Sequence, residues 1–308
     1  MDNNKIMNIL LSFDDNDWIY TRHAAVTILS LLETNKKNKI KIYIMSSSLP
    51  QENIDELKRI VKLYNQEIEF IICADIVPEE LKKVIINKRE DMRWPRYRYF
   101  FPNHIKWIDR ILYMDCDVLV MKDISELYNM DMYWKSIAAC NDTRPYYSEK
   151  HRKEFWLKQY INSGVLLFDV KKYELTKISI KKMKEINERY SQYFRGRDQD
   201  KINIIFENDF FVTDKEWFNY QISNKRFNFW IKNAEIVHCT QKAYVEYGCI
   251  PTRYKKLYNK YLNMSKRKWY PEKKYNYGYL HHLYDFSYFF FFSLFWIIIW
   301  KLTWKHYH

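Results

Sequence analysis

The sequence predicts an α/β protein: a parallel sheet with helices on its faces. Three observations carry that prediction. Over the N-terminal quarter, short apolar runs alternate with longer periodic segments in the order β-loop-α-β-α-β, the pattern of parallel strands joined by crossover helices. Acidic clusters stand at the ends of two strand-like runs, where open sheets of this kind bind ligands. Apolar residues make up 47% of the 308, enough for a sizeable core in one large domain with an appendage, or in two domains.

Each element follows from its local pattern. Residues 6–11 are apolar and read as a first buried strand, which runs into the polar, acidic loop of Asp14, Asp15, Asn16 and Asp17. From about 20 to 32, Ala24, Ala25, Ile28, Leu31 and Leu32 recur at helical spacing. Residues 39–45 alternate as a strand, Pro50 opens a second helix through about 64, and 67–73 form a third strand. Residues 79–87 predict a short helix. The stretch 93–102 mixes arginines with aromatics. It is either a half-buried surface segment with snorkelling arginines or a contact to an anionic ligand. Strands are predicted at 136–142 and 161–169, the second opened by Asn162, Ser163 and Gly164, where glycine lets backbone come close to a neighbour. Residues 171–193 read as a charged helix. Asp198, Gln199 and Asp200 precede Ile202, Ile205 and Phe206 as a cap and first-turn acids precede a helix. A last short strand ends on His238.

The central run, 111–120, starts as a core strand and then delivers Asp115 and Asp117, flanking Cys116. On an extended backbone, residues two apart share a face, so the two carboxylates are expected to project together. Like charges that close repel, and each is costly to desolvate. A divalent cation relieves both costs, and oxygen ligands suit magnesium or manganese. The competing reading makes the pair a turn cap partnered by Lys122. His238, at another strand end, is either structural or the nitrogen that completes a metal set.

Composition narrows the function. The net charge of +13 favours anionic partners. Only four glycines are present, Gly164, Gly196, Gly248 and Gly278. They are too far apart for a Walker A or dinucleotide-binding loop, so a phosphorylated ligand would need a metal and basic side chains. Five cysteines, odd in number and without a C-x-x-C pair, argue against a zinc site and a disulfide framework and for a reducing compartment. No charged leader with a long apolar run opens the chain, so no signal peptide is expected.

Several of these motifs, in their order and spacing, resemble the family 8 retaining glycosyltransferases. That group holds the bacterial lipopolysaccharide galactosyl- and glucosyltransferases and the glycogenins. The motifs are Phe13-Asp14-Asp15-Asn16, Arg98 ahead of Pro102, the run ending Asp115-Cys116-Asp117, Asn162-Ser163-Gly164, Asp198-Gln199-Asp200 and Ile236-Val237-His238. The resemblance covers about residues 6–247. It implies a glycosyltransferase A type fold, a mixed but mostly parallel sheet flanked by helices. It implies that Asp115, Asp117 and His238 hold manganese (or magnesium) against the diphosphate of a uridine-diphosphate sugar. By the same resemblance Asp14 and Asn16 contact the uridine, Trp18 stacks on it, and Cys116 joins the donor set. Arg98, Asn162, Ser163 and Asp198 surround the donor sugar, Gln199 lies near the anomeric carbon, and Asp142 helps bind the acceptor. Retention then proceeds by same-face transfer, because glutamine is a poor nucleophile; Asp198 is the alternative nucleophile. The family's late His-x-x-Gly-x-x-Lys-Pro-Trp motif is altered here, leaving Lys242 as the residue toward the diphosphate.

The C-terminal part differs in character. Between 253 and 274 nine lysines and arginines face one acid, Glu272, with tyrosines and Trp269 interleaved. Residues 286–300 then carry no charge. At 1.5 Å per residue this run reaches about 22 Å, short of a bilayer core of about 30 Å. Residues 1–250 are therefore expected to form the catalytic domain and 251–308 a basic, aromatic segment. That segment lies on the cytoplasmic face of the membrane, or packs onto the main domain. A hexosyltransferase acting on a lipid-linked saccharide, without nucleic acid, is the leading expectation. A degenerate protein that binds nucleotide sugar or glycan without turnover is the alternative.

Overall fold

The structure, a computed structural model, describes residues 6–15, 18–76, 98–105, 107–173, 179–190, 198–213, 218–222, 234–239 and 252–267. Strand β1 (Met7–Ser12) leads through the first acidic loop into helix α1 (Ile19–Thr34). Strand β2 (Ile40–Ser46), helix α2 (Gln51–Lys62) and strand β3 (Glu67–Ile72) follow, with a helical turn α3 (Cys73–Ile76). This is the predicted β-α-β-α-β opening, each element within two residues of its predicted bounds. After the turn α4 (Phe101–His104) come β4 (Arg110–Met114), β5 (Val118–Val120), α5 (Ser125–Asn129), β6 (Ile137–Cys140) and α6 (Pro145–Glu154). Strand β7 (Val165–Asp169), α7 (Ile180–Tyr190), α8 (Asp198–Ile205), β8 (Phe210–Thr213), β9 (Tyr220–Ile222), β10 (Ile236–Cys239) and α9 (Thr252–Met264) complete the described elements.

Among the described residues, seven strands form one sheet in the order β3-β2-β1-β4-β7-β6-β8. All its pairings are parallel except those of β7 with β4 and β6. The sheet is therefore mixed but mostly parallel, with β7 reversed at its middle. Both faces are covered in the central strands, so β1, β4 and β7 are apolar at most positions, while the edge strand β3 carries Glu67 and Glu69. In β1, Ile9 and Leu11 pack into the core with α1 and α2, while Leu10 faces the opposite core with Tyr43 and Tyr113.

The reversal of β7 matters for function. Because β7 runs against β4, Met114 pairs with Val165, and the segment just before β7 lies beside the segment just after β4. Asn162, Ser163 and Gly164 are thereby set next to Asp115. A second sheet, β5-β10-β9, stands apart from the first. The single stretch expected over 111–120 is thus two strands in two sheets, joined by a turn at Cys116 and Asp117. The two aspartates converge because the chain turns between them, not because an extended strand alternates.

Helix α9 covers α1. Tyr254, Tyr258 and Tyr261 are buried in the main core, and the Tyr258 hydroxyl lies 2.8 Å from His23 Nδ1. Beyond it, the Arg267 guanidinium sits 3.7 Å over the Trp18 ring and 3.7 Å from Glu56. The first part of the expected tail, up to Arg267, therefore packs with the sheet and its helices. The run from 268 onward lies outside the described residues, as do the predicted helix at 79–87 and residues 93–97.

Candidate active site

The carboxyl ends of β1 and β4 are neighbours, since Ile9 pairs with Leu112 and Leu10 with Tyr113. Two acidic segments therefore meet at one edge of the sheet. At the β1 end, Asp15 is buried and accepts a 2.6 Å hydrogen bond from the Thr21 backbone N–H, satisfying a free donor in the first turn of α1. Asp14 turns the other way. Its Oδ1 accepts from the Ser46 hydroxyl at 2.6 Å and the Ser47 N–H at 2.8 Å, and its Oδ2 from the Ser47 hydroxyl at 2.7 Å. Trp18 caps α1 with φ 67°, a left-handed conformation unusual for tryptophan. Asn16 lies outside the described residues.

At the β4 end, Asp115 divides its two oxygens. Oδ1 accepts from Arg98 Nη1 at 2.8 Å and from the Tyr113 hydroxyl. Oδ2 is turned to His238, 3.5 Å from its Nε2. Asp117 Oδ1 approaches the same nitrogen at 3.3 Å. The turn carrying both acids is pinned along its length. Asp115 N–H donates to Gly164 O at 2.8 Å, and Cys239 N–H donates to Asp117 O at 2.9 Å. The Thr27 hydroxyl, from α1, is 2.7 Å from Cys116 O and 2.8 Å from Val118 O. Cys116 is itself buried.

One donor atom from each of Asp115, Asp117 and His238 lies within 4.8 Å of the other two. Two carboxylate oxygens and one imidazole nitrogen suit manganese or magnesium. The charge balance agrees. Burial pushes the Asp115 carboxyl up, against the pull of Arg98, and the Asp117 charge pushes it further. Burial alone would lower the His238 pKa, but Asp117 and Asp115 outweigh it and hold the ring's pKa above its ordinary value. Both shifts mark a place where positive charge between the two acids is favoured, as a cation would supply it. Gly164 completes the fit: a Cβ there would stand 2.0 Å from His238 Cε1 and 2.8 Å from Asp115 Oδ2. Only a residue without a side chain lets the ring reach the acids.

Behind this trio lies a second network. Arg98 is 2% exposed. Its guanidinium donates to the Tyr113 hydroxyl at 2.7 Å and to the Ser163 hydroxyl at 2.6 Å, and pairs with Asp198 as well as Asp115. Burial would lower its pKa; Asp198, Tyr113 and Asp115 together raise it, so it stays charged. Gln199 Oε1 accepts from Ser163 N–H at 3.2 Å, and Gln199 Nε2 donates to Asp142 Oδ2 at 2.9 Å. Asn162 Oδ1 accepts from Gly164 N–H at 3.0 Å and from Asn219 Nδ2 at 3.0 Å. Asp198 and Gln199 open α8 as predicted. That helix is held to the sheet by Asn203, which accepts from Ile161 N–H at 2.7 Å and donates to Ile161 O at 3.0 Å.

The structure thus brings Arg98, Asp115, Asp117, Ser163, Asp198, Gln199, Asn162, Asp142 and His238 into one network. Lys242 lies outside the described residues. Sequence reasoning missed Tyr113, Thr27, Arg144 and Asn219. Tyr113 was legible, because it stands two residues before Asp115 on a strand. Arg144 follows Asp142 at the spacing of an Asx turn, which is a weaker signal. Thr27 and Asn219 reach the site from elements with no local mark.

Acids that converge on one point at the carboxyl edge of a mostly parallel sheet, backed by a buried arginine and amides, mark the place where such sheets bind their ligands. Comparison with known proteins makes the class specific. Residues 8–243 match the model described as glycosyl transferase family 8, and the chain belongs to that family. It is 27% identical over 256 residues to general stress protein A of Bacillus subtilis (strain 168), covering 77% of this chain and 86% of the relative. It is 25% identical over 214 residues to a lipopolysaccharide 1,2-glucosyltransferase of Escherichia coli, covering 67% and 60%. The fold superposes on the galactosyltransferase LgtC, solved in complex with donor and acceptor sugar analogues, with a TM-score of 0.66 at 20% identity. That match covers 82% of this chain and 96% of LgtC. The protein is therefore a glycosyltransferase of the mixed-sheet α/β type that its sequence predicted.

Proposed function

We propose that this transferase moves a hexose, glucose or galactose, from a uridine-diphosphate sugar to a saccharide acceptor in cell-surface glycan synthesis, with retention and with a divalent cation. The observation that carries the proposal is the Asp115, Asp117 and His238 trio closed around Gly164. A bound manganese ion supplies positive charge where the diphosphate leaves. The lipopolysaccharide relative and the donor- and acceptor-bound galactosyltransferase support the substrate class.

The chain's own residues have separable tasks in this reading. Arg98 and Tyr113 take one oxygen of Asp115, so that the other stays aimed at the cation site. Asp198, held by Arg98, and Asn162 receive hydroxyls of the donor sugar. Gln199 lies at the anomeric carbon, where its amide oxygen faces developing positive charge without forming a bond. The acceptor attacks from the face the diphosphate leaves, and the diphosphate oxygen takes its proton. Asp14, Asn16 and Trp18 hold the uridine, and Lys242 reaches the diphosphate. The Asp142 carboxylate already receives Arg144, Gln199 and Asn162, so its contribution to the acceptor is indirect. The basic C-terminal run favours an anionic membrane surface on the cytoplasmic side and a lipid-linked acceptor. No helix among the described residues is long and apolar enough to cross a membrane.

Release of uridine diphosphate by the purified chain tests the proposal. Uridine-diphosphate glucose and galactose are supplied in turn, with manganese and with chelator. Manganese-dependent release from one of them supports it. Donor that binds tightly but is never split, with or without oligosaccharide acceptors, would return the chain to the non-catalytic alternative.

A further inference from the structure

The contacts around Asp142 single out a residue that no motif contains. Asp142 follows β6, and its side chain is 0% exposed. An ionised carboxylate accepts hydrogen bonds and donates none. Here Oδ1 accepts from the Arg144 backbone N–H at 2.9 Å and from Arg144 Nε at 2.9 Å. Oδ2 accepts from Arg144 Nη2, from Gln199 Nε2 at 2.9 Å and from Asn162 Nδ2 at 3.4 Å. Arg144 thus faces the carboxylate with its guanidinium fork and its own backbone. A buried carboxylate stripped of that partner would protonate or draw in water. Burial pushes this carboxyl up, and Arg144 more than offsets it, leaving it below the usual range.

The consequence reaches Gln199. Its side-chain amide lies between Asp142 and the Ser163 backbone N–H, which donates and cannot accept. Between an acceptor and a donor the amide has one satisfied orientation, with NH2 on Asp142 and oxygen on Ser163. A protonated Asp142 could donate instead, and the flipped amide would lose its penalty at that end. We infer that Arg144 is a positioning residue, which by pairing with buried Asp142 fixes the orientation of the Gln199 amide and so the atom it turns to the reacting sugar. The last clause rests on the proposed place of Gln199 beside the anomeric carbon.

Two readouts on the full chain separate this from a merely structural role. With 15N-glutamine labelling, the side-chain amide signal that disappears in Gln199→Glu belongs to Gln199. In Arg144→Met its protons should exchange with water about tenfold faster and the signal should shift, because the carboxylate partner is no longer held. Arg144→Lys keeps the charge without the fork and should fall between. With manganese and the donor that is split, kcat for uridine diphosphate release should drop about 10–100-fold in Arg144→Met while the donor KM stays within about twofold. A Gln199 signal unchanged in folded Arg144→Met or Arg144→Lys overturns the inference. So does a loss of activity that only follows the fraction of protein unfolded. If the wild-type chain splits neither donor, the transferase reading fails on its own, and the amide signal still decides the role of Arg144.

Discussion

A methyl group at position 164 has no room. A Cβ built on Gly164 stands 2.0 Å from His238 Cε1 and 2.6 Å from His238 Nδ1. Carbon atoms in contact rest about 3.5–4.0 Å apart, so Gly164→Ala requires the ring to retreat by about 1.5 Å, the difference between 3.5 and 2.0 Å. His238 is 4% exposed, and its strand is paired on one side to Val118 and on the other to Gln221. The backbone cannot yield without breaking a ladder, so the side chain must turn. That takes Nε2 away from Asp117 and Asp115, now 3.3 and 3.5 Å distant. Metal–ligand distances tolerate about 0.2 Å, and a displacement several times larger removes the nitrogen ligand. Overpacking of this kind costs about 1–3 kcal/mol. Manganese affinity should fall by at least about 100-fold, above the usual effect of disturbing a ligand's supporting contacts. Titration calorimetry with manganese measures the second effect, and thermal melts in chelator measure the first. Gly164→Ala that binds manganese and releases uridine diphosphate like the wild type would refute the assignment of the trio.

Further outcomes follow from the same contacts. Asp117→Asn should keep its melting temperature in chelator within a few degrees but lose manganese-dependent turnover; normal turnover would remove Asp117 from the metal set. His238 and Asp115 both have folded-state pKa values raised above their ordinary ones. Their contributions to metal-free stability are therefore present at low pH and lost as pH rises, that of Asp115 through its own raised value, above 3.8, and that of His238 through its raised value, above 6.5. Melts in chelator should show stability declining over that range while the increment from manganese grows, and a flat profile in both would contradict the charge balance described. Thr27→Val keeps the shape but leaves Cys116 O and Val118 O without the hydroxyl, at a cost of about 1–3 kcal/mol in urea unfolding. An unchanged midpoint would show that the turn holds itself. Tyr113→Phe removes one of the two donors on Asp115 Oδ1, and calorimetry should show weaker manganese binding than in the wild type; equal affinity would make the tyrosine a packing residue.

Legibility in the sequence varied with the range of the forces involved. The β-α-β-α-β opening was plain, because period and punctuation are local properties of the chain. The run 111–120 looked continuous, since apolar residues stand on both sides of Asp115 and Asp117 and nothing local marks a change of sheet. What breaks it is the pairing of Val118 with His238, more than a hundred residues away. The role of Gly164 was half legible. A glycine at a strand entrance announces close approach, but which atom approaches depends on the reversed direction of β7. The tyrosines of α9 stood out only as interleaved with lysines, whereas packing on α1 makes Tyr254, Tyr258 and Tyr261 core. Arg144 escaped notice because its importance lies in what it touches, and an arginine in a basic chain carries no signal of its own.

The three members of the trio do not belong to one sheet. Asp115 extends a strand of the seven-stranded sheet, while Asp117 enters, and His238 occupies, the three-stranded one. A cation held between them is a clasp across a seam, and its binding energy is also docking energy for the smaller sheet. At a hundred times its dissociation constant a ligand adds about 2.7 kcal/mol to whatever it holds together. The amides of β9 and β10 should then open more rarely than the rest of the molecule would dictate whenever manganese is plentiful, and more freely when it is scarce. In the cation-bound enzyme proposed above, the local firmness of this part would be set by the ionic composition around it as well as by its own sequence.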